Sequence, residues 1–186
     1  MTLNKRLFQI ILSLILIVLC NSCASIHNMD KVIVDRRLLW SDFNGKVPEK
    51  SEWDSECWFD VKLEYSNIRI ENGKTVFDFT DWPYLNGKSW VRPSAVVAST
   101  SEELLTHEIG HYNIAKVWAR ELRMTLKNTT FIYRYCEQRI LKIDEDLRKK
   151  YLAMEDQYDN ETNHSRNKTQ QVFWNAKIRK LMNAYL

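Results

Sequence analysis

The sequence predicts an α+β domain: a small, mainly antiparallel sheet followed by three helices. Three observations carry that expectation. Apolar residues alternate with a period of two from Cys57 to Tyr65, as on a half-buried strand. From about residue 100 the apolar spacing changes to three and four, as on helices packed by one face. Inside the first helical stretch stands His107-Glu108-Ile109-Gly110-His111, whose two histidines, four residues apart, share one face of a helix.

The chain begins with a stretch that reads as a leader. Lys5 and Arg6 precede an apolar run from Leu7 to Leu19, too short to span a bilayer comfortably and suited to a signal peptide over residues 1–22. Cys23, after Cys20-Asn21-Ser22, reads as the lipidated cysteine of a bacterial lipoprotein, although Cys20 stands where a leucine is usual. The rival reading is an ordinary signal-peptidase site at Ser22-Cys23-Ala24. Residues 23–36 then form a tether and residues 37–186 a single domain, exported to the cell envelope and anchored to a membrane through Cys23.

Composition fits that division. Of 186 residues, 45% are apolar and 27% charged, and only 4 glycines and 3 prolines occur, which suits one globular domain without long linkers. Removing residues 1–22 takes away Lys5 and Arg6 and leaves 25 basic against 24 acidic residues. That balance gives no electrostatic reason to expect nucleic acid as a partner. Cys57 and Cys136 fall in the domain, where an oxidising compartment permits a bridge and a packed core equally permits two buried thiols.

Taken in order, Trp40 and Phe43 read as core anchors ahead of a turn at Asn44-Gly45. Cys57, Phe59, Val61, Leu63 and Tyr65 form one strand face, with Asp60, Lys62 and Glu64 on the other. Ile68 and Ile70, Asn72-Gly73, then Phe77 and Phe79 predict a hairpin with a primed turn that sets Ile68 opposite Phe77. Asn86-Gly87 marks a further turn, and Ser89-Trp90-Val91 a last short strand before Pro93. Trp53, Trp58, Trp82, Tyr84 and Trp90 make this half aromatic, for packing or for stacking on sugars or peptides.

Thr100-x-x-Glu103 has the form of a capping box and starts a helix running to about Lys127. Leu104, His107, Glu108, His111, Ile114, Ala115, Trp118 and Leu122 gather on one side; Lys116, Arg120, Arg123 and Lys127 form a solvated basic face opposite. Gly110 costs about 1 kcal/mol against alanine within a helix, which suggests close approach by a neighbouring segment. A second helix is expected from about Phe131 to Glu155, a loop from Tyr158 to Asn167, and a third helix carrying Trp174, Ile178, Leu181 and Tyr185.

The pattern H-E-x-x-H points to zinc. Two imidazoles on one helix face can hold one ion, and Glu108 beside them can take a proton from a water that the metal activates. The competing reading is a surface helix that holds these residues by accident; the apolar face on which they lie argues against it. A catalytic site needs a third protein ligand. Of the remaining histidines, His27 falls in the tether, so His164 is the first choice, with Asp159, Glu155, Glu161 and Glu137 as carboxylate rivals. Asp159 otherwise suits an acceptor behind a ligand's ring N–H, and Tyr158 a donor to an oxyanion; a buried structural pair is the alternative for both. The H-x-x-G-x-x-H extension is absent after His111. The expected function is a zinc peptidase acting on peptide or protein, with an edge strand near Trp90-Val91 available to extended substrate. Two rivals are a tethered module binding glycan or peptide and a zinc amidase acting on peptidoglycan.

Leu39-Trp-Ser-Asp-Phe-Asn-Gly45, Ser89-Trp-Val91, Leu104-Leu-Thr-His-Glu-Ile-Gly-His111, Tyr158-Asp-x-x-Thr-x-His164 and Gln171-x-x-Trp174 together resemble the bacterial family named domain of unknown function 922, described as predicted secreted zinc-dependent proteases. The resemblance implies a zincin-like fold and exported zinc peptidase chemistry, with His107, Glu108 and His111 in their zincin roles. It also makes the Tyr158–His164 block the source of the remaining ligand. Ser165 departs from the glycine expected after that histidine.

Overall fold

The computed structural model describes residues 36–184. The signal peptide, the anchor Cys23, His27, nearly all of the tether and Tyr185 lie outside the described residues. Within them the fold is α+β, an antiparallel β region followed by helices. The β region is two separate two-stranded sheets rather than one.

The larger sheet is a long hairpin of β2 (Phe59–Glu71) and β3 (Lys74–Leu85). Its turn is made by Asn72 at φ 51° and Gly73 at φ 75°, the two left-handed residues of a primed turn, whose twist matches that of the strands. The apolar positions change parity along β2: odd from Phe59 to Tyr65, even at Ile68. A plain ladder would turn one of these sets outward. The chain corrects this with a bulge between Ser66 and Arg69, where Asn67, at φ 52°, and Ile68 oppose Phe77 alone. Tyr65, Ile68, Phe77 and Phe79 consequently all pack on the core.

The second sheet is minimal. β1 (Ser55–Glu56) pairs with β4 (Trp90–Val91). Cys57 lies in the break between β1 and β2, not on the strand the alternation predicts. A short helical turn, α1 (Pro93–Val96), follows β4 and leads to the central element, α2 (Ser101–Asn128).

Thr100 is the residue before α2, but its side chain makes no capping bond, so the capping box does not form. Glu103 reaches Lys168 at 2.7 Å instead. The basic face is solvated in part: Arg123 and Lys127 are exposed, yet Arg123 makes paired contacts to the buried Asp81 carboxylate at 2.9 and 3.0 Å, and the half-buried Arg120 donates to the Met182 carbonyl at 2.8 Å.

After a 3-10 turn at Tyr133–Tyr135 comes α3 (Cys136–Thr162), then α4 (Lys168–Ala184). α3 starts later than its apolar spacing predicts and continues past Glu155 to Thr162, which makes Tyr158 and Asp159 helical rather than part of a loop. It runs antiparallel to α2: Tyr151 stacks on Trp118, Glu155 meets His111, and Tyr158 stacks on His107. α4 runs along α2 in the same direction, with Gln171 beside His107 and Met182 beside Arg120.

The main core joins the hairpin to the three long helices around Ile114, Trp118, Leu122, Ile140, Tyr151 and Trp174. A smaller cluster of Leu38, Phe43, Leu85, Leu105 and Tyr112 lies beside it. Cys136 belongs to the first cluster and Cys57 packs against the second, and both are free thiols. Among the described residues no helix is long and apolar enough to cross a membrane.

Candidate metal site

α2 brings His107, Glu108 and His111 to one buried face, at 2%, 3% and 6% exposure. The Nε2 atoms of the two histidines are 3.1 Å apart. Asp159, from the last turns of α3, places Oδ1 3.1 Å from His107 Nε2 and 3.0 Å from His111 Nε2. These three side chains form a group able to hold one metal ion. Ligands about 2.0–2.1 Å from a tetrahedral zinc stand about 3.3 Å from one another, close to the spacing found here.

The outer ring nitrogens fix how the imidazoles face. The Gln171 amide donates through Nε2 to the Tyr158 hydroxyl at 2.7 Å and to Asn175 Oδ1 at 2.9 Å, so its Oε1 is the atom that faces His107 Nδ1, 3.0 Å away. An acceptor there requires the proton on Nδ1 and leaves the Nε2 lone pair pointing inward. His111 Nδ1 is held in the same way by Glu155 Oε2. Partners of this kind behind a ligand set the ring orientation at metal sites.

The charges agree with a cation among these atoms. Burial opposes charge on Asp159, yet the imidazoles of His107 and His111 that face it hold its carboxyl well below the usual range. Burial works against a charged His111 as well, but Glu155 and Asp159 hold its imidazole well above its ordinary value. Burial pushes Glu155 up to about 7, against the pull of His111. Three electron-rich atoms 3 Å apart need positive charge between them. A proton on His111 supplies part of it; a divalent metal satisfies all three, and two imidazoles with a carboxylate are a donor set suited to zinc.

Beside this group, Glu108 Oε1 accepts a hydrogen bond from Ser55 Oγ at 2.6 Å, while Oε2 is buried without a hydrogen-bond partner among the described residues. Both residues line a cleft of about 570 Å³ that also exposes His107, His111 and Asp159. Trp53, Trp58 and Leu152 supply apolar walls, and Arg166 and Lys168 lie at its edge.

The other expected site residues stand outside the group of three, although His164 and Glu155 line the same cleft. His164 stands beside the group of three rather than in it: its Nδ1 is 3.4 Å from Asp159 Oδ1, and its ring stacks on Trp53 at 3.7 Å. The cause is the length of α3. One more helical stretch carries Asp159 across from His107 and His111, whereas His164 follows the helix end, where Asn163, His164 and Ser165 are all left-handed at φ 48°, 48° and 73°. Ser165 thus adopts the conformation that a glycine takes without strain.

Tyr158 is fully buried and outside the cleft. Its hydroxyl donates to the His107 carbonyl at 3.0 Å and accepts from Gln171, so in this arrangement it is engaged away from the cleft. Burial also pushes that hydroxyl's pKa up. Glu155 supports His111; Glu161 accepts from Trp174 Nε1, and Glu137 from the Tyr65 hydroxyl. Asp159 faces both imidazoles directly, which moves it out of the supporting role. Ser55 and Gln171 join the site without having been given a role in it, although Gln171 stands in one of the motifs that carry the family resemblance. Gln171 carried a signal, a polar residue on the core stripe with Trp174 and Ile178; Ser55, 53 residues from Glu108, carried none.

A family model described as "Bacterial protein of unknown function (DUF922)" matches residues 40–165. The chain belongs to this family. The DUF922 match takes in Ser55, the H-E-x-x-H helix, Asp159 and His164, and ends before Gln171. No curated protein and no solved structure matches the chain.

Proposed function

We propose that this DUF922 protein is an exported zinc-dependent peptidase of zincin-like architecture, anchored to a bacterial membrane through Cys23. The observation that carries this reading is three inward-facing donor atoms, on His107, His111 and Asp159, beside a cleft-lining buried glutamate with one oxygen that has no hydrogen-bond partner among the described residues. When bound, zinc would polarise a substrate carbonyl and bring the acidity of a water molecule near neutral pH. The protein's own groups do the rest. Gln171 and Glu155 hold the imidazoles with Nε2 inward. Glu108 Oε2 takes a proton from the attacking water and returns it to the leaving amine. Extended peptide or protein lies in the cleft, whose walls exclude bulk water from Glu108. The binding-module rival can use Trp53 and the exposed Trp58, which line the cleft, but it gives the buried Glu108 beside the two histidines no role.

The test compares the zinc-loaded domain, residues 24–186, with Glu108→Gln on casein, a peptide library and peptidoglycan fragments. The expected result is equal zinc content and a loss of hydrolysis of about 10²–10⁴-fold in the variant. Wild-type turnover by Glu108→Gln sinks the mechanism. Cleavage of peptidoglycan amides alone would move the substrate to the cell wall.

A further inference from the structure

The two oxygens of Glu108 are not equivalent. Oε1 is fixed by the Ser55 hydroxyl at 2.6 Å; Oε2 is buried and has no hydrogen-bond partner among the described residues. Ser55 is itself only 7% exposed. A serine hydroxyl has one proton to donate, and here Glu108 receives it.

The short strand that carries Ser55 is held from several directions. Ser55 and Glu56 pair with Val91 and Trp90. Arg92 donates its backbone N–H to the Asp54 carbonyl at 2.8 Å, and its guanidinium donates to the Trp53 and Ser51 carbonyls at 3.0 Å each. Trp90 Nε1 reaches Glu56 Oε2 at 2.9 Å. The Ser55 hydroxyl is therefore presented by a pinned backbone.

We propose that Ser55 is a positioning residue for Glu108, holding Oε1 so that Oε2 is the oxygen left to move a proton. This rests on the hydrolase reading above. A glutamate side chain has three torsions and several staggered rotamers, and a base acts only from the geometry that reaches its proton. Without the hydroxyl, Glu108 spreads over orientations in which neither oxygen is aimed.

The test uses zinc-loaded protein and acetohydroxamic acid, a chelator that gives up its hydroxyl proton to a neighbouring base as it binds. Metal content is measured first, and hydroxamate affinity second, by calorimetry. Ser55→Ala and the near-isosteric Ser55→Cys are expected to retain one zinc and to bind acetohydroxamic acid on the order of tenfold more weakly, approaching Glu108→Gln. Ser55→Thr, which keeps the hydroxyl, is expected to retain wild-type affinity. On any peptide that is turned over, the Ser55→Ala loss should fall on kcat with KM unchanged. Equal hydroxamate affinity in wild type and Ser55→Ala overturns the positioning role and leaves the hydrolase reading standing. A loss that Ser55→Thr does not recover also counts against it, as the mark of packing alone. Wild-type protein that takes up no zinc overturns the hydrolase reading and this inference together, and metal content tells that case from the others.

Discussion

Tyr158 lies so close to Gly110 that no side chain fits between them: a Cβ on Gly110 would stand 2.2 Å from the Tyr158 hydroxyl oxygen and 2.7 Å from Cζ. The helix that carries both histidines accepts a glycine because the ring of α3 rests on its backbone. Gly110→Ala gains about 1 kcal/mol of helix propensity but must displace a ring bonded to the His107 carbonyl and Gln171. With overpacking of about 1–3 kcal/mol and those bonds disturbed, the variant is expected to melt below wild type and to bind zinc more weakly. Thermal denaturation with and without zinc checks this; an unchanged or higher Tm would show that the ring gives way freely.

Asp159 and His164 should separate cleanly in metal affinity. Asp159→Ala removes a donor atom 3.0 Å from His111 Nε2 and is expected to abolish stoichiometric zinc binding at micromolar metal. His164→Ala removes a neighbour of that carboxylate and is expected to weaken zinc by about 10–100-fold, as partners of ligands do. Competition with a chromogenic chelator measures both. The reverse order would return the third ligand to His164.

Tyr158→Phe is expected to harm stability more than catalysis. It leaves the buried His107 carbonyl and a Gln171 N–H short of a partner, at a cost of about 1–3 kcal/mol. Hydrolysis per zinc-loaded, folded molecule should stay within a few-fold of wild type. A loss of about 10²–10³ in kcat would instead mark an oxyanion donor, and would mean that Tyr158 swings into the cleft.

Zinc binding should release protons and fade in acid. In metal-free protein the Glu155 carboxyl is raised to about 7 by burial, and the His111 imidazole is raised by Glu155 and Asp159 against burial. Both groups hold protons in the fold that the unfolded chain releases sooner. The Glu155 contribution to metal-free stability is therefore present at acid pH and lost as pH rises through about 7, and that of His111 is lost only at higher pH. The metal takes the place of such a proton, so uptake near pH 6 releases at least part of one, and the binding enthalpy depends on the buffer's ionisation heat. Calorimetry in two buffers checks this; identical enthalpies at that pH would remove the proton from the site.

Much of this chain could be read locally. The two histidines share a face because they are four apart, and the buried side of α2 follows from the apolar residues around them. Asn72-Gly73 is a primed turn because both positions need left-handed φ. Even the bulge at Asn67 is written in the sequence, as a change of parity between Tyr65 and Ile68. Each of these rests on a few neighbouring residues and the geometry of one element.

The tertiary structure decided the rest. Asp159 rather than His164 completes the group because α3 continues to Thr162 and crosses α2 at the level of His107 and His111. Tyr158 becomes a packing residue because the same crossing sets its ring on Gly110. Ser55 and Gln171 reach the site from 53 residues before Glu108 and 64 after His107. The spacing of residues along one helix is fixed by the backbone hydrogen bonds of that helix. The level at which two helices or a strand and a helix meet is fixed by packing over the whole core, and no short stretch of sequence records it.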